Sequence, residues 1–410
     1  MEQGTASYAT PQPAGRVTPR VLEVDALRGF ALGGIFVVNV LAMAGPYYGG
    51  LGDPGASGAD TVATWLVVAF AQAKFYLLFS FLFGYSFTLQ MTSAERAGAR
   101  FGPRMVRRLA GLLVLGMLHA ALLYTGDILM AYALFGLILL AARRVSPEKA
   151  WRIARRIYLT ATAVLLFIGL GAMLDGPEPD SALLAEAAEL TEAYRGSAAD
   201  VIGANVGQWA EILLATVLTG GYVVAAFLVG LAAGKRELLA RAAEHPERLR
   251  RICVVGAVVG VPGALFMAVG SVGPLPVAVW EFPAMIVGMA MAPALSAAYG
   301  AGFLLWVTRA GRGPRTTGLG ALLAGAGRMS LTNYLTQSLV MALVFTGYGF
   351  GLYGKAGAAA AVCGALVVYA AQLALSVRLL RRFRMGPVEW VLRAVTLAGR
   401  PSKSTVSRGR

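Results

Sequence analysis

The sequence predicts an all-α, polytopic integral membrane protein: a helical bundle of about ten transmembrane helices with both termini cytoplasmic. Three observations predict it. Of 410 residues, 57% are hydrophobic and only 14% charged, against about a quarter charged in a soluble domain, and the mean hydropathy is +0.66. Uncharged stretches recur that are long enough to cross ~30 Å of hydrocarbon as helices. The basic residues, finally, collect in alternate loops. Together these exclude a β-barrel, a disordered chain and a soluble enzyme on a single anchor.

Residues 1–21 read as a flexible cytoplasmic tail with no signal-peptide pattern. Apolar runs between breakers place spans at 29–47, 66–91, 109–125, 128–142, 157–174, 210–234, 252–273, 280–307, 329–347 and 357–377. The third and fourth are short and separated only by Gly126 and Asp127, a tight hairpin that is thin or tilted. The second is long for one span. These elements group into N-terminal helices (22–156), middle helices with an acidic extracytoplasmic loop at 175–209 (157–251), a C-terminal region (252–398) and a basic tail (399–410). Within the acidic loop, 180–196 has a helix-forming composition. Lys235 to Arg251 and Gly386 to Arg400 read as amphipathic helices on the cytoplasmic surface.

With the N-terminus inside, the inner segments hold 32 of the 36 Lys and Arg residues, and the outer loops hold Arg195 and Lys355 alone. That asymmetry sets the orientation in the cell membrane. It also accounts for the net charge of +15 without nucleic acid. Cys253 and Cys363 lie in apolar runs and can form neither a disulfide framework nor a thiolate metal site, so no metal is expected.

Ionisable groups at bilayer depth cost about 2.5 to 3.5 kcal/mol each and persist where they are paired or used. The first helix carries Asp25, Arg28 and Asn39. Asp25 and Arg28 are i and i+3, close enough to pair, and Arg28 and Asn39 are eleven apart, three turns, on one face. The bland account is a snorkelling Arg beside its own salt bridge, with Asn39 as helix glue. His119 lies about ten residues into the third predicted span, with Asp127 at the hairpin turn. It is the one intramembrane group able to shuttle a proton near neutral pH, or else a neutral imidazole bonded to a neighbouring helix. Asp127 either orients such a base or caps the next helix. Lys74 snorkels or meets an acidic or phosphate partner. Arg328 opens a polar run from Ser330 to Ser338 that includes Asn333, suited to a phosphate-bearing ligand or to helix capping.

The stretch Asp25-ALRGFALGGIFVV-Asn39 resembles the opening of the YeiB-like membrane proteins, the DUF418 family. It is also similar to the openings of the heparan-α-glucosaminide N-acetyltransferase-like proteins and, more distantly, of the acyltransferase-3 proteins. Lys74-FYLLFSFLFG-Tyr85, Leu118-His119-AALLYT-Gly126-Asp127 and the C-terminal stretches Gly327-Arg328-MSLTNYLTQS and Gly386-PVE-Trp390 carry the same YeiB-like resemblance. Asn39 stands where the acyltransferase-3 proteins carry a His, and residues 40–60 lack the His that heparan-type enzymes place after the Asn.

The resemblance implies a transmembrane acyltransferase. It would move an acyl, acetyl-like group from a cytoplasmic acyl-CoA (acetyl-CoA) to a hydroxyl or amine of a small-molecule, lipid or glycan acceptor. His119, Asp127 and Asn39 then form the catalytic set, and Asp25, Arg28, Lys74, Arg328 and Asn333 bind substrate. This reading expects the polar residues of the early spans to share one water-accessible chamber. The alternative is a proton-coupled transporter or lipid-handling protein using His119, Asp127 and Lys74. The partners expected are the lipid bilayer and that acceptor, with homo-oligomers left open. Phosphate-loop, zinc-protease, Cys-x-x-Cys and nucleophile-elbow motifs are missing from the sequence.

Overall fold

The computed structural model describes residues 22–46, 55–175, 180–272, 277–309 and 318–398. The two predicted tails lie outside them. Every regular element among the described residues is a helix. Among the described residues eight helical stretches, not the ten expected, are long and apolar enough to cross a membrane, because α5 and α13 are too short to qualify, and the chain is a polytopic helical membrane protein.

The first is α1 (Leu22–Ala44). The second combines α2 (Gly58–Phe70) and α3 (Lys74–Arg96), which the sequence read as one span. They are broken at Ala73, whose φ of 68° is left-handed, a conformation no helix interior holds. Ser57 and Asp60 form a capping box that starts α2. Asp60 Oδ1 also accepts from Ala359 N at 2.9 Å, so one carboxylate starts two helices.

The predicted hairpin is α4 (Phe101–Leu122) and α5 (Leu129–Ala141). With 13 residues α5 is only about 20 Å long and too short to cross alone. Gly116 lets its start approach, since a Cβ there would meet Met130 N at 2.5 Å. After α6 (Pro147–Asp175) come α7 (Asp180–Arg195), as composition predicts, α8 (Ala198–Gly207) and α9 (Trp209–Lys235). Helices α3 and α9 cross where Gly84 lies on the Phe227 backbone and Gly230 on the Phe81 backbone. The predicted surface helix over Lys235 to Arg251 is absent. A turn and a 3-10 segment at Ala242–Glu244 lead straight into α10 (Pro246–Val272).

Helix α11 (Val277–Arg309) tolerates Pro283 and Pro293 inside the bilayer, as membrane helices do when neighbours satisfy the freed carbonyls. The stretch before the ninth predicted span is not a simple loop. It contains α12 (Leu319–Arg328), antiparallel to α1, with Leu323 on Gly29 and Gly327 on Asp25. The chain turns at Met329 into α13 (Ser330–Phe345), 16 residues long, then α14 (Ala358–Arg382) and the expected surface helix α15 (Pro387–Leu397).

The arginine-rich segments gather at one end. Lys235 Nζ donates to Arg143 O and Val145 O, Arg236 pairs with Glu148, and Arg107 Nε reaches Thr396 O. The acidic segment caps the other end. Arg195 Nε donates to Tyr353 O at 2.7 Å, Tyr194 stacks on Tyr353 with centroids 4.7 Å apart, and Asn205 Nδ2 donates to Ala121 O of α4. Burial pushes the Tyr194 and Tyr353 phenols up, so both stay neutral.

Candidate functional site

His119 occupies the last turn of α4, directly beneath this cap. The chain then folds back: Leu123 N and Tyr124 N both donate to His119 O, and Asp127 N to Thr125 O. Asp127 therefore faces both helices of the hairpin. Its Oδ2 accepts from Met130 N at 2.6 Å, starting α5, and its Oδ1 lies 2.9 Å from His119 Nδ1. Both side chains are 0% exposed. The two readings of Asp127, cap and partner of the imidazole, hold together. The approach of Nδ1 and Oδ1 is off the line of a directed hydrogen bond, so the two groups lie side by side without a formed bond.

The far nitrogen, Nε2, is buried with no hydrogen-bond partner among the described residues. An unsatisfied buried polar atom is costly and rare. Tyr334 of α13 tilts its ring over the imidazole at 4.9 Å, and Tyr124 meets it edge-on at 6.4 Å. The Tyr334 hydroxyl accepts a long contact of 3.5 Å from Ile128 N. A carboxylate beside Nδ1 favours the tautomer protonated there. That leaves the Nε2 lone pair as a base or acceptor in a buried surrounding.

The other candidates do not join this group. Arg28 pairs with Asp25 at 2.6 Å, as its spacing predicts, and also donates to Ser86 Oγ. Along α4, Arg108 and His119 are eleven residues apart, about 16 Å, and Leu109 and Leu112 between them belong to the same buried apolar cluster as Leu32 and Ile35 of α1. One continuous polar chamber is therefore not what the structure shows. Asn39 shares the Arg28 face of α1 by spacing, is half-buried, and makes no side-chain hydrogen bond among the described residues.

Lys74 is 0% exposed and donates to Val68 O at 3.0 Å, while Ser296 Oγ donates to Lys74 O. It neither snorkels nor meets an acid; it satisfies the end of α2 at the helix break. Arg328 donates to Arg384 O at 3.1 Å. Asn333 Nδ2 donates to Ala326 O and to Ser376 Oγ, and Gln372 Nε2 donates to Asn333 O, a closed network joining α12, α13 and α14.

Two residues escaped the sequence reading. Tyr334 is next to Asn333, one helix position round, and only packing decides which of the two meets His119. Arg108 looked like one more residue of a basic loop. Its eleven-residue spacing from His119 repeats that of Arg28 from Asn39, and this was the available signal.

Comparison with known proteins decides the family. The model of the DUF418 family, proteins of unknown function, matches residues 233–399. Uncharacterized protein YxaH of Bacillus subtilis is 33% identical over 92% of this chain and 94% of its own length. The chain belongs to the DUF418, YeiB-like family. Uncharacterized protein YeiB of Escherichia coli is 31% identical over 95% of this chain and 100% of its own length. An uncharacterized 39.9 kDa protein encoded beside an amylase in Bacillus acidopullulyticus is 27% identical over 92% of this chain and 94% of its own. The family match covers α10 to α15, so Tyr334 lies inside it and His119 outside; the relatives span both.

Proposed function

We propose that this membrane protein is an acyltransferase, with its arginine-rich end in the cytoplasm and His119 as general base. The observation that carries the reading is the buried His119–Asp127 pair with its unengaged Nε2. An acceptor hydroxyl or amine gives its proton to Nε2 as its heteroatom bonds to the acyl carbon. The C–S bond of the acyl-CoA breaks, and the imidazolium returns the proton to the leaving thiolate. Asp127 steadies the transient imidazolium. Lys74, Arg328 and Asn333 drop out of the reacting set, since each has a structural partner.

The test is purified protein in lipid nanodiscs with acetyl-CoA as donor and hydroxylamine as a small nucleophilic acceptor, followed by thiol release and hydroxamate formation. His119→Gln should lower the rate about 10² to 10⁴-fold, the usual range for losing a general base. Unchanged turnover in that variant, or no turnover in the wild type, refutes the proposal.

One observation favours transport instead: the α2–α3 break with its buried Lys74, since broken helices mark ion paths in transporters. Proton flux into protein-loaded liposomes without acetyl-CoA, lost in Lys74→Met, would support it.

A further inference from the structure

The cap formed by α7 and α8 is joined to the turn that carries His119 through one buried amide. Asn205 of α8 is 1% exposed, and the hydrogen bonds that reach it run in one direction. Gln208 Nε2 donates to the Tyr194 hydroxyl at 2.9 Å, which leaves that hydroxyl's own proton for Asn205 Oδ1, also at 2.9 Å. With Oδ1 engaged, the amide turns Nδ2 to Ala121 O at 3.1 Å. A carbonyl only accepts, so neither the amide nor the hydroxyl can be reversed, and bonds aligned in series strengthen one another. The relay ends on a carbonyl that its own helix leaves without a partner, as the last carbonyls of any helix are. In the last turn of α4, His119 O takes Leu123 N and Tyr124 N, and Ala121 O, two residues on, takes Asn205. Residues 122–126 alone separate this carbonyl from Asp127, whose other fixed point is Met130 N. Unanchored, the turn would be a helix end free to fray, and the approach of Asp127 to Nδ1 would lose one of its two supports. The cap also grips the second helix at the site. Gly347 N, just past α13, donates to Tyr194 O at 2.8 Å, and a Cβ on Gly347 would collide with the Gly196 carbonyl.

We propose that Asn205 is a positioning residue for His119. By holding Ala121 O it keeps the imidazole beside Asp127, and so keeps the proton on Nδ1 and the lone pair on Nε2. Its consequence for turnover rests on the acyl-transfer reading; its consequence for the imidazole does not. The contact differs from a bond that only holds the cap down. Arg195 Nε, donating to Tyr353 O at 2.7 Å, fastens the same cap without touching α4.

The chain has two histidines, His119 and His245. In a His245→Gln background, purified without a histidine tag, isotope-labelled histidine therefore leaves His119 as the single imidazole in a solid-state NMR spectrum of the protein in lipid nanodiscs. The parent should show one tautomer, protonated at Nδ1. Asn205→Leu, close in size but without the amide, should add a second pair of resonances from the form protonated at Nε2. It should also lower kcat with acetyl-CoA and hydroxylamine about tenfold to a hundredfold, with KM little changed, as a small misplacement of a reacting group does. Arg195→Met, which loosens the cap elsewhere, should leave the single tautomer intact. Should Asn205→Leu fail to fold, Tyr194→Phe keeps the ring on Tyr353 and releases Asn205 Oδ1, and it should add the same second resonances. A single tautomer unchanged in whichever variant folds, a second tautomer already present in the parent, or an equal change in Arg195→Met overturns the positioning role. A parent without turnover whose tautomer still shifts in Asn205→Leu refutes the acyl-transfer reading and keeps Asn205 as the residue that sets the imidazole.

Discussion

At Asp127 one carboxylate meets two demands, and substitution can separate them. Asparagine still offers an oxygen to Met130 N and is itself a preferred helix cap, whereas alanine offers none. Asp127→Ala should therefore lose about 1 kcal/mol of stability in a denaturation series, and Asp127→Asn much less. Both lose the negative charge beside Nδ1, so acetyl-CoA turnover should fall in both by a similar factor. If Asp127→Asn keeps full turnover, the carboxylate is a cap and nothing more. Tyr334→Phe keeps the ring over His119 and removes only the long contact to Ile128 N. It should melt within about 0.5 kcal/mol of the wild type, a measurement that separates packing from hydrogen bonding. At this scale the sequence was half legible. A lone His in an apolar run announces itself, and an Asp three residues before Met130 announces a cap. The choice between Asn333 and Tyr334 was not legible, because both lie in one polar turn and the neighbouring helices alone decide which faces where.

The break between α2 and α3 shows what the apolar run from 66 to 91 concealed. No proline marks it, and the left-handed residue is an alanine. The only sign was a lysine placed too deep for an uninterrupted helix. Its ammonium takes up Val68 O, an orphan carbonyl at the end of α2. Lys74→Met keeps the buried stem and removes the charge, so its desolvation relief offsets much of the lost hydrogen bond. We expect a stability change of about 1 kcal/mol or less and unaltered acetyl-CoA turnover. Abolished turnover in a well-folded Lys74→Met protein would return the residue to the reaction. The α3–α9 crossing is less forgiving. A methyl at Gly84 would strike the Phe227 backbone, which cannot move as a side-chain tip can. Gly84→Ala should cost about 1 to 3 kcal/mol, read as a lower melting temperature in detergent.

Across the whole molecule, the all-helical architecture and the gathering of charge were the most legible features, because both follow from the bilayer; the span count was less so, eight against ten expected. Hydrocarbon forces each crossing to be a closed helix, and its length is set by thickness. Where the reading differs, as with α12 folded along α1, the segment is rich in glycine and alanine, and small residues let backbones touch without a long apolar signal. The same physics makes orientation testable. The end that holds Arg28, Arg108, Lys235 and Arg393 should face the cytoplasm, since basic segments are retained there. The α7 cap should face outward. In a variant with Cys253 and Cys363 replaced by Ser, Glu189→Cys on α7 and Arg393→Cys on α15 each place one exposed thiol at opposite ends. A membrane-impermeant maleimide added to intact spheroplasts should label Glu189→Cys at once, and Arg393→Cys only after the membrane is opened. The reverse pattern would put His119 near the cytoplasmic face and the arginine-rich end near the outer one. A cytoplasmic acyl-CoA could not then enter at the arginine-rich end, and the direction of transfer would have to be inverted.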